Sequence, residues 1–259
     1  MFFLVSYFGF LFWRKENLRK TEIYDKILSN SFRDGSGGIS MNRELILRAV
    51  DHTILCPTVT WKDVQRICDE AIEFETASVC VPPAFVKRVK AYVGSGIPIC
   101  TVIGFPNGYQ TVSSKAFEAD DVLKKGADEI DMMINLGDLR DRNYASLKNE
   151  IKTVKLVCGK RILKVTVEAC LLTEVEKIRM CEIVSEADAD YIKTSTGFST
   201  GGADPKDVAL FAKHLRPGVK IKAAGGISDF EFAQKLLQAG AFRLGSSRLV
   251  GQAKENRNE

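Results

Sequence analysis

The sequence predicts one α/β domain folded as a (β/α)8 TIM barrel, and three observations carry that prediction. Short β-rich runs recur about 20–35 residues apart, the repeat of βα units around a parallel sheet. Amphipathic segments with helix start signals lie between them. Several strand runs alternate apolar residues with charged ones, so both faces are specified. The length of 259 residues suits a barrel of ordinary size, about 250 residues. An open doubly wound sheet is the competing architecture. The number of similar units and the missing G-x-G-x-x-G loop favour the barrel.

The elements follow in chain order from Met41. Residues 43–50 predict a short helix leading into the first strand at 50–54. The other strand runs are 77–81, 98–103, 128–134, 162–168, 190–195, 219–224 and 241–245. Thr60 precedes a helix over 61–75, and Pro83 opens one over 83–93. Thr173 with Glu176 three residues later forms a capping box. Asp204-Pro205 supplies a cap followed by a proline at the first helical position.

Residues 1–40 stand apart, which sets the boundaries at 1–40 for an extension and 41–259 for the barrel. Residues 1–13 (MFFLVSYFGFLFW) are apolar but shorter than the roughly 20 residues that span a bilayer. Stable membrane insertion is therefore not expected. Residues 30–40 (NSFRDGSGGIS) read as a flexible linker. Three readings cover the segment: an upstream start codon with Met41 opening the domain, a weak membrane-associated anchor, or a signal peptide. The last lacks its positive n-region and its small-residue cleavage site.

An apolar fraction of 45% and a charged fraction of 27% belong to a globular chain. The net charge of +4 is spread along the sequence, so no nucleic-acid face is indicated; small anionic ligands fit better. Seven cysteines, without a C-x-x-C pair, predict reduced thiols and a cytoplasmic setting. His52 and His214 are too far apart for a local zinc motif, and no Walker A loop occurs. No metal and no cofactor are expected.

The alternation locates a polar lumen. Ile130, Met132 and Ile134 oppose Glu129 and Asp131; Leu163, Val165 and Val167 oppose Lys164, Thr166 and Glu168. Ile192 opposes Lys193 and Ser195, Val219, Ile221 and Ala223 oppose Lys220 and Lys222, and Phe242 and Leu244 oppose Arg243. In a barrel the helix-facing side is apolar, so the charged set points inward. Such a set can be an ion-pair network that only fixes strand register. Position along the strand separates the roles, because barrel active sites sit at the C-terminal strand ends. Asp51, Asp131, Glu168, Lys193 and Lys222 lie late in their strands or close to it. Lys164, Lys220, Glu129 and Arg243 lie about one layer lower and are expected to be structural.

Lys193 sits within a stretch, Asp190 to Gly197, of apolar and β-branched residues that ends in small residues and glycine. A lysine on a buried strand either pairs with a carboxylate or loses its proton and becomes a nucleophile. Lys222 on the next strand is a neighbouring cation that favours the second outcome. A neutral lysine attacks carbonyls to form a Schiff base. Asp131 is placed to move the protons this requires. The Gly225-Gly226 and Gly245-Ser246-Ser247 clusters follow the last two strands, where barrels commonly bind phosphate. Either cluster alone reads first as a tight turn, with Ser228 capping a helix; both together at adjacent strand ends point to phosphate. Residues 197–202 (GFSTGG) form a third glycine-rich loop beside Lys193.

From about Met41 to Gly251 the chain resembles the 2-deoxyribose-5-phosphate aldolase family. The matching stretches include Asp51-His52-Thr53, Ser78 to Pro83, Gly104 to Gly108, Asp128 to Asn135, Lys164 to Glu168, Asp190 to Gly197, Lys222 to Ile227 and Arg243 to Ser247. The resemblance implies reversible cleavage of deoxyribose 5-phosphate to glyceraldehyde 3-phosphate and acetaldehyde. It implies that Lys193 is the Schiff-base residue, Asp131 and Lys222 the proton donors and acceptors, and Asp51 part of the proton relay. Gly197, Gly225, Gly226, Gly245, Ser246 and Ser247 are the expected phosphate binders. Cys80, Glu168 and Thr196 are expected near the substrate, although Cys80 taken alone reads as a small buried hydrophobe. Barrels of this family are often dimers, so a homodimer is expected. Arg248 stands where the family often has another serine, and arginine is itself a good phosphate partner. Residues 1–40 have no counterpart in the family core. Other readings are a barrel lyase or isomerase with the same phosphate corner, a dihydroxyacetone-type aldolase, and a phosphate-binding barrel whose lysine is structural.

Overall fold

Asn42 starts the described barrel by accepting a hydrogen bond from Glu44 N, which caps helix α1 (Arg43–Leu47). The computed structural model describes residues 42–255, together with a two-stranded antiparallel pair, Phe32–Arg33 and Ile39–Ser40. The readings made for residues 1–13, and for the linker apart from that pair, lie outside the described residues.

Eight strands follow: β1 (Val50–Thr53), β2 (Ser78–Val81), β3 (Ile99–Ile103), β4 (Glu129–Met133), β5 (Ile162–Thr166), β6 (Tyr191–Lys193), β7 (Lys220–Ala224) and β8 (Arg243–Ser246). Each pairs in parallel with the next, and β8 closes onto β1. The open-sheet alternative is thereby excluded. Strand β6 is shorter than the 190–195 run, because Thr194 leaves the ladder. Its hydroxyl accepts from Ala224 N at 3.1 Å and donates to Ala224 O at 3.2 Å. The first-strand run likewise stops at Thr53.

Helix α2 (Trp61–Glu73) begins with a capping box made by Thr60 and Asp63, and it stops before Glu75, whose φ is 48°. The helix predicted over 83–93 divides into a 3₁₀ turn, Pro83–Phe85, and α3 (Val86–Val93). Helices α4 (Val112–Lys124), α5 (Leu136–Arg140) and α6 (Tyr144–Cys158) follow, the last two in one crossover. Helix α7 (Glu174–Glu186) carries the Thr173–Glu176 capping box. Asp204 caps α8 (Pro205–His214), with Pro205 at its first turn. Helices α9 (Phe230–Gln238) and α10 (Leu249–Glu255) complete the ring. Outward strand residues such as Val79, Ile130, Val165, Ile192 and Leu244 are buried against these helices.

The lumen is charged, as the alternation predicts. The Arg243 guanidinium donates to Asp51 and, at 3.1 Å, to Glu129. Lys164 reaches Glu129 at 2.6 Å, and Ser78 donates to Asp51 at 2.7 Å. Lys220 stands at the opposite rim, at the start of β7, with its ammonium 3.9 Å from the Phe242 ring centroid.

Burial alone would raise the pKa of Asp51 and of Glu129. For Asp51, Arg243, Lys222 and Lys164 outweigh burial and hold it below the usual carboxylate range. For Glu129, Arg243 and Lys164 do the same. A depressed folded-state pKa contributes stability above the unfolded value of about 4, and that contribution is lost as pH falls through the depressed range. Urea unfolding followed by circular dichroism is expected to show these carboxylates contributing no slope between pH 5 and 7 and a steep loss below about pH 4. Arg243→Met leaves two buried carboxylates short of a partner. At pH 7 it is expected to cost about 3–5 kcal/mol and to flatten the acid limb.

Candidate active site

Three strands deliver the central group: β4 brings Asp131 and β7 brings Lys222, each from mid-strand, and β6 brings Lys193 at its C-terminal end. Lys193 and Lys222 are register partners on adjacent strands. Both ammonium groups lie 2.7 Å from the same oxygen, Asp131 Oδ2. Lys222 also pairs with Asp51 Oδ2 at 2.5 Å. Asp131 Oδ1 accepts from Lys164 Nζ at 3.0 Å and from Cys100 Sγ at 3.2 Å.

The expected contact of two like charges is therefore mediated by a carboxylate. Burial would push the Lys222 amine down, but Asp131 and then Asp51 outweigh it and hold the ammonium above its ordinary range. Burial would raise Asp131, but Lys164, Lys193 and Lys222 together hold it well below the usual carboxylate value. At neutral pH the pair is an ammonium on Lys222 and a carboxylate on Asp131.

Lys164 is a correction. Its ammonium was expected one layer below the reacting groups, yet Lys164 is the register partner of Asp131 and touches that carboxylate directly. A four-carbon stem lifts its ammonium to the next layer. Asp51, Glu129 and Asp131 thus face Lys164, Lys193, Lys222 and Arg243, three carboxylates against four cations. Lys193 has one carboxylate partner, Asp131; the other three cations each contact at least two.

Above this cluster opens a cleft of about 470 Å³, with Lys193 and Lys222 in its lining. Thr196, Gly197, Gly225, Gly226, Gly245, Ser246 and Ser247 line it too, as does Arg248. Asp51 and Asp131 are fully buried beneath the lysines. Two residues expected near the substrate are absent from the lining. Cys80 is enclosed with Cys100 and Val102 against Leu55 and Phe105. Glu168, at a φ of 53°, directs its carboxylate to the Thr196 amide at 3.2 Å and to the Thr196 hydroxyl, so it holds the loop after β6.

The glycines and serines divide by role. Gly225 and Gly226 have φ of 88° and 74°, a turn that L side chains resist. A Cβ on Gly225 would lie 3.1 Å from Gly202 Cα, so the 197–202 loop packs directly on this turn. A Cβ on Gly245 would lie 2.9 Å from Ala224 Cβ and 3.2 Å from Lys222 Cε, so Gly245 makes room for the lysine stem. The Ser246 hydroxyl donates to Ile227 O at 2.8 Å and accepts from Arg248 N at 3.1 Å and Leu249 N at 3.3 Å. It closes the start of α10, which leaves Ser247, exposed at the rim, as the serine with an open hydroxyl position.

The cleft also includes residues that sequence reasoning missed. Thr53 to Pro57 form one wall, and Phe198 stands at the mouth. Phe105 meets Phe198 edge to face, 5.4 Å between centroids, and its ring lies 5.8 Å from Lys193 Nζ. The apolar Ile54 and Leu55 directly after β1 were a readable signal, since the end of a barrel strand opens on the active-site face.

Comparison with known proteins places this arrangement. Residues 45–251 match the family model described as DeoC/LacD family aldolase. A deoxyribose-phosphate aldolase of Clostridium botulinum (strain Eklund 17B / Type B) is 51% identical over 214 residues, 83% of this chain and 97% of that protein. One from Streptococcus pyogenes serotype M4 is 52% identical over 205 residues, 79% of this chain and 92% of that protein. The tetrameric deoxyribose phosphate aldolase structure from Aeropyrum pernix superposes with a TM-score of 0.78 at 29% identity, covering 91% of this chain and 97% of that one. The chain belongs to the DeoC/LacD aldolase family.

Proposed function

We propose that this protein is a class I aldolase that reversibly cleaves 2-deoxy-D-ribose 5-phosphate to D-glyceraldehyde 3-phosphate and acetaldehyde through a Schiff base on Lys193. The observation that carries the reading is the single oxygen, Asp131 Oδ2, in contact with both Lys193 and Lys222 at 2.7 Å. Two amines and one carboxylate at a cleft floor supply a nucleophile, an acid and a base together. The 51% identity to curated deoxyribose-phosphate aldolases supports the substrate.

Lys193 is the nucleophile because it opens on the cleft and has the fewest ion-pair partners. Its Nζ bonds to C1 of the open-chain aldehyde, and the carbonyl oxygen gains a proton. Water then leaves to give the iminium. The electron pair of the C2–C3 bond moves toward the iminium, forming an enamine, while the C3 hydroxyl gives up its proton and becomes the aldehyde of glyceraldehyde 3-phosphate. Protonation of the enamine at C2 and hydrolysis release acetaldehyde and restore Lys193. Asp131 accepts protons and Lys222 donates them, in keeping with the charge states their neighbours impose. Asp51, 2.5 Å from Lys222, relays them. Attack needs the free amine, whose proton Asp131, 2.7 Å away, is placed to accept.

Gly197, Gly225, Gly226 and Gly245 bring backbone, and Ser247 and Arg248 bring side chains, to the side of the cleft assigned to the phosphate. Ser246 holds that corner in shape. The same reading covers the setting. The described cysteines are all free and five are buried, which suits the cytoplasm. Among the described residues no helix is long and apolar enough to cross a membrane. Tyr109 and Phe117, 71% and 72% exposed, offer apolar surface to a second copy in a homodimer. The family match over residues 45–251 supports the boundary read at Met41, with the barrel domain assigned to 41–259 and residues 1–40 kept outside it.

Lys193→Ala is expected to lower kcat/KM for deoxyribose 5-phosphate cleavage by about 10³-fold or more. The wild type, mixed with acetaldehyde and borohydride, should carry a reduced adduct on Lys193 by mass spectrometry. An unmodified Lys193 would sink the Schiff-base reading. Asp131→Asn should lose about 10²–10⁴ in kcat while still binding substrate. Gly245→Ala should cost about tenfold in kcat, since its methyl displaces the Lys222 stem. Each rate is read by coupling glyceraldehyde 3-phosphate release to a dehydrogenase.

A further inference from the structure

Lys115 on α4 is fully buried outside the barrel, among groups the proposed reaction does not use. An ammonium has three protons, and Lys115 has three acceptors. They are Gly108 O at 2.6 Å, Met133 O at 2.7 Å and the Glu150 carboxylate on α6. The other Glu150 oxygen accepts from Asn135 N at 3.3 Å.

These contacts tie down the loop Gly104–Gly108 between β3 and α4. The Lys115 stem packs on Gly104, where a Cβ would lie 2.6 Å from Lys115 Cε. Glu118, also on α4, accepts from Gly104 N at 2.7 Å, and Gly108 N donates to Gly104 O at 2.8 Å. Both ends of the loop are therefore fixed. Its second residue is Phe105, the ring 5.8 Å from Lys193 Nζ and packed on Phe198 at the cleft mouth. Met133 O and Asn135 N, held by the same two side chains, follow Asp131 at the end of β4 and at the cap of α5.

Stability alone does not call for this arrangement. A buried ion pair is commonly no better than a well-packed apolar pair of similar volume. What an apolar pair lacks is three directed donors on one atom, aimed at the Gly108 carbonyl of the loop after β3, the Met133 carbonyl at the end of β4 and the Glu150 carboxylate.

We propose that Lys115, with Glu150, is a positioning residue for the reaction at Lys193: it clamps residues 104–108 so that Phe105 stands as an apolar wall beside the amine. The proposal rests on the reading of Lys193 as the Schiff-base residue and adds to it a fixed, water-excluding side. An unclamped loop lets Phe105 and Phe198 separate and admits water to the iminium.

The test compares four full-length proteins: wild type, Lys115→Met/Glu150→Gln, Phe105→Ala, and the triple variant. The double variant removes both charges together, so neither is left buried alone. Expected are a fall of about tenfold in kcat in the double variant and in Phe105→Ala, with KM within about twofold of wild type. The triple variant should be no slower than Phe105→Ala, because the clamp acts through that ring. Amide hydrogen exchange of residues 104–108 should quicken in the double variant. A folded double variant with wild-type kcat overturns the proposal, as does a triple variant in which the two losses multiply. Phe105→Ala with wild-type kcat overturns it whether or not the double variant folds. If the wild type neither turns over nor traps acetaldehyde, the Schiff-base reading fails instead, and the exchange rates still report whether the clamp exists.

Discussion

One carboxylate, Asp131, organises the centre of this molecule. It is fully buried, and an isolated charge there would be untenable. Lys164, Lys193 and Lys222 all contact it, so its burial is offset three times over. The lysines depend on it in turn, since none could hold a charge at this depth alone. Neither set would persist without the other, and together they require that β4, β5, β6 and β7 keep one register. The reactive group and the strand alignment are thus fixed by the same contacts.

The same economy appears one layer out. Arg243 joins Asp51 and Glu129, and Asp51 in turn reaches Lys222. Gly245 is small because the Lys222 stem passes beside it, and Gly202 is small because Gly225 O approaches it closely. Glu168 in a left-handed conformation ties Thr196 in place. Glu168 and Ser246, both expected near the substrate, each hold a loop at the cleft in place.

Much of this was legible in the sequence, for a physical reason. A period-2 alternation of apolar and charged residues assigns both faces of a strand, so the charged lumen followed from the pattern at 128–134 and 162–168. Start signals such as Thr60 and Thr173 act locally, and both cap as read. What one strand's pattern does not encode is the stagger between strands and the reach of a long side chain. Lys164 was misplaced for that reason. Ser246 was read as a phosphate ligand because a serine at a strand end fits either role; only the positions of Ile227 O and Leu249 N show the hydroxyl to be in use. Phe105 and Phe198 are far apart in sequence and meet only when the barrel closes.

The Asp51–Arg243 contact joins residues 192 positions apart, from the first barrel strand to the last. A chain emerging from the ribosome carries Asp51 long before its guanidinium partner exists. Loop-closure entropy makes so remote a pairing late even in a complete chain. Without Arg243, Asp51 and Glu129 each lack one of their cations, and burying a carboxylate short of its partner is costly. The inner charges therefore have their full set of partners only once the final strand has joined the first.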